Sequence, residues 1–284
     1  MKEWEDRVIL RAVVVVAAAL TALAGCTAGD DPQVELPPAG GRFDYQLGGP
    51  HPPAPGVVVV ARDVTAEPAP GLYNVCYVNA FQTQPGDLDA WTTDHPDLLL
   101  RHDGGDDGDG GLVTDPDWPG EVLLDTSTAA NRAALAEIAG RDLQRCAEAG
   151  FDAVEPDNLD SWTRSRGLLD RADNLAFAAL LADAAHDLGL AIAQKNAAEL
   201  GTAGRDTAHL DFAIAEECEV HAECDDYLAV YGPHVIEIEY TGDGRAAFAA
   251  ACAARGERFS VQLRDRAVTP AGADGHVSEW CPGG

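Results

Sequence analysis

The chain has 284 residues, of which 46% are hydrophobic and 24% charged, and its formal net charge is −29. The apolar fraction is that of a globular domain and excludes wholesale disorder. The charge excludes a nucleic-acid partner or a polyanionic substrate and favours a cationic one.

The first 26 residues read as a targeting segment. Lys2, Arg7 and Arg11 precede an apolar run from Ala12 to Ala24. That run is too short for an ordinary membrane-spanning helix and has the length of a signal h-region. It ends in Leu23-Ala24-Gly25-Cys26, which resembles the lipobox of bacterial lipoproteins. Cys26 is therefore the expected lipidation site, and the outer face of the cell membrane the expected location, with the lipid as the only membrane contact. Residues 27–41, TAGDDPQVELPPAGG, are expected to be a flexible linker. The folded part is expected over 42–284.

Short β-branched runs then recur. They are 57–63, 73–79, 121–125, 151–157, 190–196, 211–217, 235–240 and 259–265. Ala/Leu-rich helical patterns, clearest at 128–149, 170–188 and 245–255, separate several of them. Such alternation predicts a parallel sheet, and eight strands predict an α/β fold of the (β/α)₈ TIM barrel type. A doubly wound open sheet is the alternative, but no Gly-x-Gly-x-x-Gly follows the first run. Residues 42–47, RFDYQL, are either a further strand or a plug at the barrel floor. The acidic loop 103–111 is only loosely similar to a calcium loop, because its Asp spacing is wrong and the bidentate Glu is missing. Pro156, in GFDAVEPDNLD, has no N–H and is expected to end its strand.

Seven cysteines less Cys26 leave six, an even number that permits three disulfides in an oxidising compartment. Cys218–Cys224 and Cys252–Cys281 are the expected pairs. Whether Cys76 and Cys146 pair is open. No His-x-x-x-His, Cys-x-x-Cys or Gly-x-Ser-x-Gly occurs at a strand end, so neither metal, other cofactor nor a serine nucleophile is expected.

In a (β/α)₈ barrel the chemistry lies at the C-terminal ends of the strands. Those ends carry Asp63, Asn79, Asp125, Asp157, Lys195-Asn196, Glu216-Glu217, Glu239-Tyr240 and Asp265. Each has a plainer reading: Asp125, before Thr126-Ser127-Thr128, fits a helix cap, and Lys195 fits a neutraliser of Glu155. Desolvating so many acids together is costly, which a purely structural ring leaves unexplained. Two carboxylates and no cofactor suffice for glycoside hydrolysis. Residue alternation does not choose between Glu216 and Glu217, which point to opposite faces.

EPDNLD at 155–160, QKN at 194–196, AEECEVHAECDD at 215–226 and EIEY at 237–240 together resemble glycoside hydrolase family 114, the endo-α-1,4-polygalactosaminidases. FDYQLGG and VCYVNAF look like a subgroup of it. The resemblance spans roughly 42–281 and implies a retaining endo-glycosidase on a barrel. It implies Asp157 as nucleophile and Glu216 as acid/base, with Glu217 pointing away from the mouth. It further implies a substrate-binding set of Asp63, Tyr77, Asn79, Asp125, Glu155, Asn158, Asp160, Lys195, Asn196, Glu239, Tyr240 and Asp265. The implied partner is a cationic, galactosamine-containing polysaccharide, met by a monomer. Ala197 stands where many members have Asp, which bears on specificity. A non-catalytic carbohydrate-binding lipoprotein and a hydrolase of another amino-sugar polymer are the alternatives.

Overall fold

A computed structural model of the chain describes residues 34–102, 111–242 and 244–282. Cys26, the signal segment, residues 27–33 and the acidic loop at 103–110 lie outside them. Among the described residues nine strands form one sheet in sequence order. They are β1 (Arg42–Tyr45), β2 (Val57–Asp63), β3 (Tyr73–Asn79), β4 (Ala153–Asp157), β5 (Ala191–Lys195), β6 (Phe212–Glu216), β7 (Val235–Tyr240), β8 (Ser260–Arg264) and β9 (Ser278–Trp280). Neighbours from β1 to β8 are parallel, and β9 lies antiparallel on β8. The seam between β8 and β1 is bridged by side chains. Gln262 Oε1 accepts from the Tyr45 N–H at 3.1 Å, and Trp280 Nε1 donates to the Phe43 carbonyl at 2.6 Å. The architecture is the predicted TIM barrel.

The helices are α1 (Leu88–Asp94), α2 (Ala129–Ala149), α3 (Arg171–Asp187), α4 (Ala203–Asp206), α5 (Cys218–His221), α6 (Cys224–Tyr231) and α7 (Gly244–Arg255). Their ends follow sequence signals. Thr128 accepts from Asn131 N at 3.0 Å, and Gly150 closes α2 at φ 92°, a conformation that favours glycine. Asp170 and Asp173 form a capping box on α3.

Two apolar layers hold the barrel. Inside it, Phe43, Tyr45, Tyr73 and Phe212 pack against the small Ala61, Ala153, Ala191 and Ala193. Outside it, Leu143, Phe177, Leu181 and Tyr227 fill the space between sheet and helices. Each fully buried side chain of this size stabilises by about 1.5–3 kcal/mol. That surplus lets the upper layer of the barrel carry charge. Residues 34–37, within the expected linker, lie under the barrel floor: Val34 and Leu36 pack on the interior cluster and the Glu35 carbonyl accepts from Tyr73 Oη at 2.6 Å.

Of the two readings of 42–47, the structure takes the strand, over Arg42–Tyr45. Two expectations need correction. The run at 121–125 is not a sheet strand; Val122, Leu123 and Leu124 make only isolated bridges to Thr114, Gln82 and Leu99. Its apolar side chains are satisfied outside the barrel, with Leu123 packed among Leu100, Val113 and Leu169. One strand thus replaces another, and Asp157 and Glu216 keep their places on the fourth and sixth strands. Second, Pro156 is the penultimate residue of β4, paired with Val78, rather than its terminator.

The disulfides Cys218–Cys224 and Cys252–Cys281 are formed, and so is Cys76–Cys146, which ties α2 to β3. Three bridges are the usage of a protein outside the reducing cytoplasm. Among the described residues no helix is long and apolar enough to cross a membrane.

Candidate active site

The C-terminal ends of the strands open on a cavity of about 760 Å³. At its base one ammonium gathers three carboxylates. Lys195 Nζ lies 2.8 Å from Asp157 Oδ1, 3.1 Å from Glu155 Oε1 and 3.3 Å from Glu216 Oε2. The Lys195 side chain is only 2% exposed. Burial works against its charge, but Asp157, Glu216, Tyr45 and Glu155 together hold it well above the ordinary lysine value.

The two carboxylates facing the cavity are each fixed by a tyrosine and a further donor. Tyr77 Oη donates to Asp157 Oδ2 at 2.6 Å. Tyr240 Oη donates to Glu216 Oε1, and Asn196 Nδ2 donates to Glu216 Oε2 at 3.1 Å. Asn196 also accepts from the Glu216 N–H at 2.8 Å, so one amide fixes both ends of that residue. Burial pushes Asp157 up, yet the charge and hydrogen bond of Lys195, with the Tyr77 hydroxyl, hold it below the ordinary carboxylate value. Glu155 sits beneath, fully buried. It accepts from Tyr45 Oη at 2.8 Å, and burial pushes its carboxyl up to about 7.

The walls are acidic. Among the described residues, ten carboxylates line the cavity: Asp63, Asp115, Asp117, Glu121, Asp157, Asp160, Glu199, Glu216, Glu217 and Glu223. Against them stand three cations, Arg164, Lys195 and Arg266. All three are committed: Arg164 to Asp115 at 2.6 Å and Asp160 at 2.8 Å, Arg266 to Glu217 at 2.6 Å, and Lys195 as above.

The model of glycoside-hydrolase family GH114 matches residues 24–284. The chain belongs to this family. It is a glycoside hydrolase. No curated protein matches the chain. Among solved structures, Aspergillus fumigatus Ega3 in complex with galactosamine is similar, at 24% identity and a TM-score of 0.69. The match covers 89% of this chain and all of that one. A variant of the glycoside hydrolase domain of Pseudomonas aeruginosa PelA matches at 17% identity and a TM-score of 0.56, over 84% of this chain and 97% of that one. At these identities both likenesses speak to the fold alone.

The GH114 expectations are met unevenly. Asp157 and Glu216 are brought together, with Asp63, Tyr77, Asn158, Asp160, Lys195, Asn196 and Tyr240 around the same cavity. Asn79 stands behind them, donating to Glu121 at 3.0 Å and accepting from Asn158 at 2.8 Å. Four members of the set sit elsewhere. Glu155 lies below the cavity, held by Tyr45 and Lys195. Asp125 caps the approach to α2, accepting from Ser127 N and Asn131 Nδ2. Asp265 accepts from the N–H groups of Thr269 and Val277 and so ties the turn between β8 and β9. Glu239 is wholly buried on the outer face of β7, accepting from Glu219 N at 3.0 Å.

Glu217 is corrected too. It does not point away: its backbone turns left-handed at φ 57°, which breaks strand alternation and brings its carboxylate to the cavity, clamped by Arg266. The residues missed from sequence include Asp115, Asp117, Trp118, Arg164, Glu199, Glu223 and Arg266, on connections without periodic signal, and Glu121, which opens the run misread as a strand. Among the described residues the one His/Cys/Asp/Glu group with metal-like spacing is Cys218, Cys224 and Glu237, and both its cysteines are in a disulfide.

Proposed function

We propose that this GH114 hydrolase is a retaining endo-glycosidase that cleaves α-1,4-linked, cationic galactosamine polymers. The observation that carries the reading is the cleft itself, with ten carboxylates facing three cations that are already paired. That surplus of carboxyl groups over cations in a walled groove concentrates a polycation and repels a polyanion. The similarity to Ega3 crystallised with galactosamine supports the choice of sugar. Trp118, 54% exposed at the cleft, offers an apolar face to a sugar ring.

Asp157 attacks the anomeric carbon while Glu216 protonates the leaving oxygen; Glu216 then activates water to release the glycosyl group. The spacing supports retention. Lys195 touches Asp157 Oδ1 at 2.8 Å and Glu216 Oε2 at 3.3 Å, so these two oxygens lie within about 6.1 Å of each other. Retaining pairs sit about 5–5.5 Å apart and inverting pairs about 6.5–9.5 Å.

The test is a product assay on partially deacetylated galactosaminogalactan beside chitosan. Galactosamine oligomers should appear from the first polymer only. Raising salt from about 0.05 M to about 0.5 M should raise KM at least about tenfold, because screening shortens to a few ångströms. Salt-independent turnover, or equal release from chitosan, would overturn the substrate reading.

Lipid on Cys26 would hold the monomeric enzyme to the outer face of the cell membrane. The Leu-Ala-Gly-Cys sequence at 23–26 supports this. Cys26→Ser should move the protein into the soluble or unprocessed fraction and make it insensitive to globomycin. Normal processing and unchanged membrane association would end the proposal.

A further inference from the structure

Lys195 carries two readings from sequence, neutraliser of Glu155 and ligand for the sugar. The geometry fits neither well. An ammonium has three N–H donors. Here three carboxylates surround it, at 2.8 Å (Asp157), 3.1 Å (Glu155) and 3.3 Å (Glu216), with Tyr45 Oη at 3.4 Å. Its hydrogen bonds go to Asp157 Oδ1 and Tyr45 Oη, Glu155 and Glu216 are ion-paired to it, and the side chain is 2% exposed, so the ammonium is spent on protein groups. Neutralising Glu155 alone would not require the ammonium to reach both carboxylates of the reacting pair.

We propose that Lys195 is a positioning residue that acts as the fixed counter-ion for the charge the reaction moves between Asp157 and Glu216, with Glu155 and Tyr45 holding it in place from below. The proposal rests on the double-displacement reading above. In the first step a bond forms between an Asp157 oxygen and the anomeric carbon, the glycosidic C–O bond breaks, and the leaving oxygen takes the proton of Glu216. Asp157 becomes a neutral ester and Glu216 a carboxylate. In the second step water gives a proton to Glu216 and its oxygen to the anomeric carbon, and Asp157 leaves as carboxylate. Total charge is constant in both steps, but one negative charge moves from Asp157 to Glu216 and back. Among the described residues, the cation in contact with both ends of that path is the Lys195 ammonium. A preorganised cation at both termini needs no rearrangement as the charge moves, which is the form of electrostatic help that lowers barriers most.

The support below is equally specific. Glu155 Oε1 receives both Tyr45 Oη at 2.8 Å and Lys195, while Glu155 Oε2 has no partner. Glu155 therefore spends its contacts on fixing the ammonium. The titratable groups that interact with Lys195 are Tyr45 from β1, Tyr77 from β3, Glu155 and Asp157 from β4, Glu216 from β6 and Tyr240 from β7. The tyrosines are held neutral, chiefly by burial, so the carboxylates alone feel the loss of the cation in the working pH range.

The experiment compares Lys195→Met, Lys195→Arg and the double variant Lys195→Met/Glu155→Gln on galactosamine oligomers across pH. In Lys195→Met, kcat should fall at least about 10³-fold with KM within about threefold. The acidic limb of kcat/KM should rise by at least about one pH unit as Asp157 loses its counter-ion. Lys195→Arg, which keeps the charge, should leave the limb where it is. The double variant removes the unpaired buried carboxylate and so guards against simple misfolding. It should fold, and should keep both the loss and the shifted limb.

Recovery of activity in the double variant would reduce Lys195 to a neutraliser of Glu155. A rise in KM with the limb unmoved would make it a sugar ligand. Either result overturns the proposal. Labelling of the wild-type enzyme by a 5-fluoro galactosaminyl fluoride separates the two layers. An ester on Asp157 with an unmoved limb sinks the role of Lys195 alone, whereas a label on another residue, or none, sinks the double-displacement reading and the proposal with it.

Discussion

Asp157→Asn should leave a folded protein whose turnover of galactosamine polymer is lower by at least about 10⁴-fold, a barrier increase of about 5.5 kcal/mol. The amide keeps the size of the side chain and its bond from Tyr77, which donates at 2.6 Å in the native site. It removes the charge that Lys195 faces at 2.8 Å and the nucleophile with it. Glu216→Gln should cost as much on the polymer but far less on a galactosaminyl fluoride, whose departure needs no proton. Azide should rescue Asp157→Ala and yield a glycosyl azide of inverted configuration; the same rescue at Glu216 would exchange the two roles. Glu217→Gln should change KM a few-fold and little else, because its carboxylate is already spent on Arg266 at 2.6 and 2.7 Å. An active Asp157→Asn enzyme would be the most damaging result, since no other residue is assigned the attack on the anomeric carbon.

Much of this site could be read from the chain because strands impose strict rules. Apolar runs of six or seven residues marked seven of the eight parallel strands. The eighth, β1, is only four residues long and has no helix after it, so it lacked both length and alternation as signals. The run at 121–125 had the apolar character of a strand, but apolar character alone does not say which cluster a run will join. Alternation also contained an unused warning. Tyr240 faces the mouth, so Glu239 beside it must face outward. Where the expectation for Glu217 failed, it failed at a left-handed residue just past the end of β6, where alternation no longer applies. Asp125 followed the local rule for short acids, accepting from the Ser127 N–H two residues on, and Asp265 accepts from Thr269 N–H four residues on and from Val277 N–H across the turn. Apart from Asp63, Asn158 and Asp160, the acidic cleft walls were not legible. Asp115, Trp118 and Glu121 sit on an irregular connection whose path depends on contacts far away in sequence. One such contact is Arg164 Nε to Asp115 at 2.6 Å.

The outward acids of β7 give the enzyme a measurable pH signature of their own. Glu237 and Glu239 are both fully buried beneath α5 and α7, and burial pushes each up to about 7. Glu237 Oε1 and Glu239 Oε2 have no hydrogen-bond partner, which suits neutral carboxyls better than carboxylates. Arg255 offsets the cost for Glu237 at 3.4 Å, but it is shared with Glu219. The sign follows from linkage. The unfolded chain releases these protons near the ordinary glutamate value of about 4.3, whereas the folded chain keeps them to about 7. Between those limits the native state binds more protons than the unfolded one, so stability falls as pH rises, and the contribution is fully present only below the window. Each carboxyl is expected to account for a loss on the order of 3 kcal/mol across it. The mutual repulsion of a chain at −29 pushes in the same direction, so the wild-type slope alone does not isolate these groups. The decisive comparison is urea unfolding at pH 5 and pH 8 for wild type and Glu239→Gln. The amide stays neutral at both pH values, so the variant should lose less stability than wild type on going from pH 5 to pH 8, by about 2–3 kcal/mol. Equal losses in the two proteins would mean that Glu239 is ionised in the folded state, and that a cation or water reaches its free oxygen behind β7.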